Sequence, residues 1–382
     1  MRRRDFITAL GSAACIGPLS LRAQQASNVD PRFLFEPPLR CLAGVRPYRA
    51  TGYRLLGDET SDPKKFIVHN YGHGGAGITM SWGVASKVRD LVKAHVAATS
   101  EMPVAVLGSG VMGLTAATLL RELGLQVTIY AEKFWSDTTS AVAGGQWAPS
   151  VVTYSDEQQF KEVLKTSYEK FAASIGQGFG VSKMPNYTIE RHPSFDEVLR
   201  LVPGLLPEPD VLPNLPFQHL TSSGFRYHTL LVQPPIFLKR LDGDLRAAQV
   251  AFVQRTFSDL ADVLSLQEGI IVNCTGYGAK QILNDTNLQA IKGQLAMLTP
   301  QRDLDYLFGR SGYLFPRADA VVVGGTFEEG DDTTTPDRDR CQQLVNDLKG
   351  VFGLGPPVPR LAFHIDHPKN LRYLAPEKVV GD

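Results

Sequence analysis

Two rhythms of apolar and polar positions run along this chain. Val104–Leu107 and Ile270–Val272 are apolar at every position, end at Gly108 and Asn273, and are too short for buried helices. They predict strands covered on both faces. After the first of them, LTAATLLRELG repeats its apolar positions at helical spacing and stops at Gly124, and Gln126–Tyr130 returns to strand-like patterning. Helices are expected again over Val84–Ala97 and Asp337–Val351, and strands over Tyr313–Pro316 and Val321–Thr326. Strands alternating with helices predict an α/β fold. Residues 151–250 carry apolar and aromatic runs broken by the proline-rich 203–216, which suits a second domain built on a sheet. No internal repeat interrupts the pattern.

The junction between the first strand and its helix carries chemistry. Gly108-Ser109-Gly110-Val111-Met112-Gly113 lies there, and Glu132 closes the second strand about 19 residues past Gly113. Gly108 permits a tight turn, Gly110 lets a pyrophosphate approach the backbone, and Gly113 brings helix and strand close. The helix N-terminus faces the phosphates, and Glu132 stands where a ribose hydroxyl is held. Strand, G-x-G-x-x-G, helix, strand and acid together predict a dinucleotide-binding βαβ unit, with NAD and FAD both open at this point.

Composition narrows the class. The chain has 382 residues, enough for about two and a half domains. Lys plus Arg and Asp plus Glu each total 39, so the net charge is zero and gives no electrostatic case for a nucleic-acid partner. A hydrophobic fraction of 43% with 20% charged residues excludes wholesale disorder and a polytopic membrane protein. Four cysteines without a C-x-x-C pair exclude a disulfide-dense scaffold and a Cys-rich zinc site. At the front, Arg2, Arg3 and Arg4 precede Asp5-Phe6-Ile7 and a mildly apolar run, and the R-R-x-F-I order resembles a twin-arginine signal. Residues 1–26 are therefore expected to be an export signal read by the twin-arginine machinery, and the protein to be periplasmic or exported. Cys15 would leave with that signal, and Cys41, Cys274 and Cys341 read as buried free thiols. His364-x-Asp366-His367 reads as a solvated tail, and no metal site is expected.

Further motifs point to one family. Thr138-Thr139-Ser140, then Ala143-Gly144-Gly145-Gln146-Trp147-Ala148-Pro149, resemble the FAD-binding segment of the D-amino-acid oxidase family. Ile270–Gly276 with Lys292-Gly293-Gln294 resembles the strand that returns to that family's cofactor domain, and Tyr313–Pro316 with Val321–Thr326 its substrate-site strand pair. Gly44-Val45-Arg46-Pro47-Tyr48-Arg49 is similar to the family's G-x-R-P segment, and His69-Asn70-Tyr71-Gly72-His73-Gly74-Gly75-Ala76-Gly77-Ile78-Thr79 to its glycine loop over the flavin. The likeness spans roughly residues 40–350. It implies a Rossmann-like FAD-binding domain with a second, mixed-sheet substrate domain. FAD would then be held by Gly108, Gly110, Val111, Met112 and Gly113, by Glu132 and Lys133, and by Thr138, Thr139 and Ser140. Gly145, Gln146, Trp147, Phe257 and Gly276 join them, as do Gly74, Gly75, Ala76, Gly77, Ile78 and Thr79. The cofactor part is expected at 66–150, 250–300 and 318–355, and the substrate part at 30–65, 151–249 and 301–317. Residues 356–382 form a tail without an assigned role.

The order of these motifs departs from the family. Its arginine segment and glycine loop come last, whereas here they precede the dinucleotide motif. This looks like a circular permutation, which costs little when chain ends are exposed and close. It predicts that residues near Cys41 lie beside the segment after Val351.

The resemblance implies a reaction. Arg46 is the candidate for gripping a substrate carboxylate through the planar fork of its guanidinium, with the Tyr313 hydroxyl on the same carboxylate. Hydride would pass from Cα of a D-amino acid to flavin N5 without a general base, so no catalytic acid or base is named. Molecular oxygen is the expected acceptor, giving a 2-oxo acid, ammonia and hydrogen peroxide. Relatives acting on neutral substrates carry a tyrosine four residues before the counterpart of Tyr313; here that place is Gly309, followed by Arg310. Arg310 is a candidate reader of a side-chain carboxylate, which keeps D-aspartate and D-glutamate open as substrates. Glycine or sarcosine, and a non-oxygen acceptor, stay open as well. Helix Val84–Ala97 is expected to turn its N-terminus to the reduced flavin. His69 and His73 are expected to shape the glycine loop through hydrogen bonds.

Overall fold

The computed structural model describes residues 29–61, 64–100, 103–309 and 312–355. Its strands, numbered in chain order, form two sheets. One runs β2 (Arg54–Ser61), β3 (Lys64–Tyr71), β10 (Ile270–Asn273), β4 (Pro103–Leu107), β5 (Gln126–Ala131) and β9 (Ala251–Gln254). From β3 to β9 every pairing is parallel, and β2 closes the edge antiparallel to β3. The apolar runs sit at the centre of this sheet, as continuous hydrophobicity requires of strands buried on both faces. Val68, Val104, Val106, Ile270 and Val272 face a core shared with helices α1 (Gly77–Thr99) and α2 (Val111–Glu122), while Ile67, Ala105 and Ile271 face Phe257, Val263 and Leu266. Each such Val or Ile contributes about 1.5–3 kcal/mol of burial.

The second sheet runs β1 (Arg40–Arg49), β11 (Leu288–Leu298), β14 (Val321–Gly324), β13 (Tyr313–Pro316), β12 (Leu307–Gly309), β6 (Val181–Thr188), β8 (Gly224–Val232) and β7 (Asp210–Leu212), with β15 (Glu328–Glu329) beside β11. It is mixed, because β12 and β6 pair parallel within an otherwise antiparallel set. Its strands divide the chain differently from the spans expected. Residues 54–61 pair along β3 from Arg54–Tyr71 to Ser61–Lys64 and so join the six-stranded sheet. Residues 288–298 and 321–324 lie in the nine-stranded one. The cause is the long register of β1 on β11, from Arg40–Met297 to Arg49–Leu288, which no local rhythm reveals.

Helix α1 starts at Gly77, ahead of the expected Val84. Thr79 and Ser81 interrupt the apolar period, yet both are buried with their hydroxyls donating to Ala148 O and Ile78 O. The helix ends where Ser100 turns left-handed (φ 62°) and donates its N–H to Val96 O. The last described helix, Arg338–Val351, opens on Asp337, whose carboxylate accepts from the N–H groups of Asp339 and Arg340. The two ends of the described chain pack together: the Phe33 ring lies 6.0 Å from that of Phe352, and Phe217 stands edge-on to Phe352 at 5.3 Å. Among the described residues no helix is long and apolar enough to cross a membrane. The export-signal reading and the His364–Asp366–His367 tail fall outside the described residues.

Candidate functional site

A cavity of about 1390 Å³ takes its wall from both sheets. That exceeds the ~300–1,000 Å³ usual for one small ligand and suits a dinucleotide with a small substrate beside it. At one end, β4 turns into α2. Gly108 has φ +101°, and a Cβ there would stand 2.5 Å from the Cys274 carbonyl oxygen. A Cβ on Gly113 would stand 1.9 Å from the Gly108 carbonyl oxygen. The glycines therefore keep open a cradle that any side chain would fill, at the positive end of a helix. The cradle is braced from outside: Val111 N–H donates to Ser140 Oγ at 3.0 Å, and the Ser109 hydroxyl to Lys133 O at 2.7 Å.

Most of the expected cofactor residues border this cavity. Gly108, Gly110, Val111 and Met112 do, as do Glu132, Lys133, Thr138, Thr139, Ser140, Gly145, Gln146, Phe257 and Gly276. So do Gly74, Gly75, Gly77, Ile78 and Thr79. Gly113, Ala76 and Trp147 stand behind the wall instead. Gly113 sits beneath the turn, while Ala76 and Trp147 are buried in the core, with the Trp147 ring edge-on to Tyr168 at 4.9 Å. Thr79 is on the wall, but its hydroxyl is used: it donates to Ala148 O at 2.9 Å and accepts from Ala148 N at 3.1 Å, which straps the 145–149 loop to α1. Helix α1 opens into the cavity with no side-chain cap and no acid in its first turn, so its N–H groups leave about half a positive charge there.

At the other end lie Arg46 and Tyr313. Arg46 Nη1 donates to Thr326 O at 3.1 Å and Lys292 O at 3.3 Å, and the guanidinium lies flat against Gly293, where a Cβ would meet its Cζ at 2.5 Å. Among the described residues no carboxylate comes within ion-pair distance of it, and Nη2 has no hydrogen-bond partner. Burial lowers its pKa, offset in part by Tyr313 and Glu328, yet an arginine stays charged. The Tyr313 ring stacks on Phe315 at 4.2 Å, and burial raises its phenol pKa. A Cβ built on Gly325 would stand 3.2 Å from Tyr313 Oη and 3.3 Å from Arg46 Nη2. Both donors thus converge on one small volume that the absent side chain leaves free. Arg310 lies outside the described residues.

The histidines act differently from expectation. His69 does hydrogen-bond, through Nε2 to Asp58 at 3.3 Å, but it does not border the cavity. His73 does border it, yet its Nε2 is buried without a partner and its ring stacks on Tyr53 at 5.1 Å, so it packs rather than bonds. Burial pushes the two pKa values down to about 4 and about 3, leaving both rings neutral. Other wall residues carried no signal in the sequence. Thr188, Glu190 and His192 reach the cavity from and just beyond β6, within the stretch that read as chemically silent. Asn70 borders it with a buried, unpartnered Oδ1, and its place inside the glycine loop was the only clue.

Comparison with known proteins agrees with this geometry. Residues 103–368 match the model of the DAO family, described as FAD dependent oxidoreductase. The chain is 29% identical over 262 residues to a D-amino-acid oxidase of Streptomyces coelicolor, covering 65% of this chain and 79% of that one. It is 27% identical over 263 residues to a human D-aspartate oxidase, covering 64% and 74%. Among solved structures, a glycine oxidase from Bacillus cereus is similar at 14% identity and TM-score 0.49, over 65% of this chain and 77% of that one.

Proposed function

Since the chain belongs to the DAO family of FAD dependent oxidoreductases, we propose that it oxidises D-amino acids to 2-oxo acids, ammonia and hydrogen peroxide. Its cofactor is FAD, and the glycine cradle and the α1 N-terminus are the residues that fit it. When bound, FAD supplies the acceptor for a hydride from Cα, and oxygen is the acceptor we propose for the electrons thereafter. The observation that carries the reading is the convergence of Arg46 Nη2 and Tyr313 Oη on the volume beside Gly325, with no carboxylate of the described chain within ion-pair distance of the cation and Glu328 acting on it only from farther away. A half-buried guanidinium that faces a cavity and has no ion-pair partner among the described residues is suited to a ligand that brings the anion. A carboxylate held by that fork leaves amine and side chain to select which hydrogen faces the ring, so orientation does the work and no base is needed. Relatives named D-amino-acid oxidase and D-aspartate oxidase support the substrate class.

Two further parts belong to the same proposal. Export rests on the Arg2–Ile7 pattern alone. The permutation is supported by where the family match falls: it begins at Pro103, yet residues before it supply Arg46 and the glycine loop to the same cavity.

The test is an anaerobic visible spectrum with D-alanine, D-aspartate and glycine, followed by kinetics of Arg46→Leu. We expect a D-amino acid to bleach the flavin. The variant should keep FAD but lose about 10²–10⁴ in kcat/KM, the measure of a lost charge-assisted fork. A flavin that no D-amino acid reduces, or a variant as active as the parent, would overturn the reading.

A further inference from the structure

Cys41 and Cys341 lie 300 residues apart in sequence, yet both reach one core cluster. Cys41 lies on β1 opposite Ala296 of β11, half-buried, and packs on the core cluster to which Cys341 belongs. Cys341 stands in the first turns of the Arg338–Val351 helix, fully buried, with its Sγ 3.6 Å from the carbonyl oxygen of Leu295, the neighbour of Ala296. The Cys41 thiol is near enough to Cys341 to add to the effect of burial on its acidity. Cys274, the third described cysteine, lies elsewhere, buried beside Asn70.

We propose that Cys41 and Cys341 are a disulfide-forming pair that ties β1 to the last described helix, closed by hydrogen peroxide. Burial pushes the Cys341 thiol well above its ordinary pKa, so the half-exposed Cys41 is the sulfur a peroxide meets first. Its thiolate displaces hydroxide from the peroxide and becomes a sulfenic acid. The sulfur of Cys341 then displaces that hydroxyl as water, forming the S–S bond. In total, two thiols and one hydrogen peroxide give one disulfide and two waters. The covalent loop runs from 41 to 341, and long loops are those whose closure most restricts the unfolded chain. The link joins the two ends of the described chain, where Phe33 meets Phe352, and it anchors the strand that carries Arg46. The pair stands on these contacts and does not depend on which substrate the cavity takes.

The test treats the full-length holoprotein with hydrogen peroxide, blocks free thiols, and maps peptides without reductant. The Cys41 and Cys341 peptides should appear as one species, two hydrogens lighter than their sum, and the protein should run faster on a non-reducing gel. Its thermal midpoint should rise by several degrees and return on adding dithiothreitol. Cys341→Ala should abolish all three changes and Cys274→Ala none. If Cys341→Ala does not fold, Cys41→Ser on the half-exposed side serves in its place. Recovery of Cys41 as free thiol or sulfinic acid with no linked peptide, or linked to another cysteine, would overturn the proposal.

Discussion

Single residues set the acid limit of this protein. His69 and His73 are neutral when folded, with pKa values pushed down by burial to about 4 and about 3 from an ordinary 6.5. Once unfolded, each takes a proton near pH 6.5, which the folded protein refuses until far lower pH. Their stabilising contribution is therefore complete above about pH 6.5 and is lost as the pH falls toward 4 and then 3, at about 1.4 kcal/mol per pH unit for each ring. Urea unfolding of the holoprotein should accordingly weaken steadily from pH 6.5 to 4.5. Because His73 Nε2 has no partner and its ring stacks on Tyr53, His73→Phe keeps the packing and removes the proton site. That variant should lose about half of the slope. Equal slopes in parent and variant would show that His73 does not titrate as its burial dictates.

At the level of elements, two glycines make opposite predictions. Gly113→Ala drives a methyl to within 1.9 Å of the Gly108 carbonyl oxygen, so α2 must leave β4 and the phosphate cradle with it. Gly83→Ala meets the Val163 carbonyl oxygen at 2.0 Å, where α1 crosses the Glu157–Ala173 helix away from the cavity. The first should be purified without yellow colour. The second should keep its flavin and lose about 1–3 kcal/mol of stability from overpacking. A Gly113→Ala protein with full flavin content would mean the cradle does not hold the pyrophosphate. The contrast also marks what the sequence could convey. β4 and β5 were legible to within a residue and α2 from its first turn onward, Val111 instead of Leu114 being its start, because strand, turn, helix and acid are all local partners. Thr188 and Glu190 were not, because a period of two tells which face of β6 is buried but not that β12 lies beside it. Arg46 was found only through its motif. Its loneliness, and the flat seat Gly293 offers it, exist only once β1 is laid along β11.

Considered as a whole molecule, the chain holds a site whose parts arrive from within the family match and from the residues before it. β3 feeds the glycine loop and pairs with β10, β10 pairs with β4, and the cradle follows β4, so the six-stranded sheet is contiguous in space although its strands come from distant sequence. If the order is a permutation, the present break and the family's break are interchangeable at little cost, provided both lie at exposed joints. The joint between α1 and β4 qualifies: Ser100 and Pro103 are exposed. The other pair of ends is close in space, since the Phe33 and Phe352 rings lie 6.0 Å apart. A chain reopened between 100 and 103, with residue 355 joined to residue 29 by a flexible linker, should fold, bind FAD and match the parent's spectrum with a D-amino acid. Reopening shortens the loop that brings β1 onto β11 but lengthens those that bring α1 onto α2 and onto the Glu157–Ala173 helix, so the two changes oppose each other in the folding rate. A reopened chain that stays unfolded and colourless would mean that the 100–103 connection is part of what holds the two halves together, and that the unusual order is not a simple transfer of one segment.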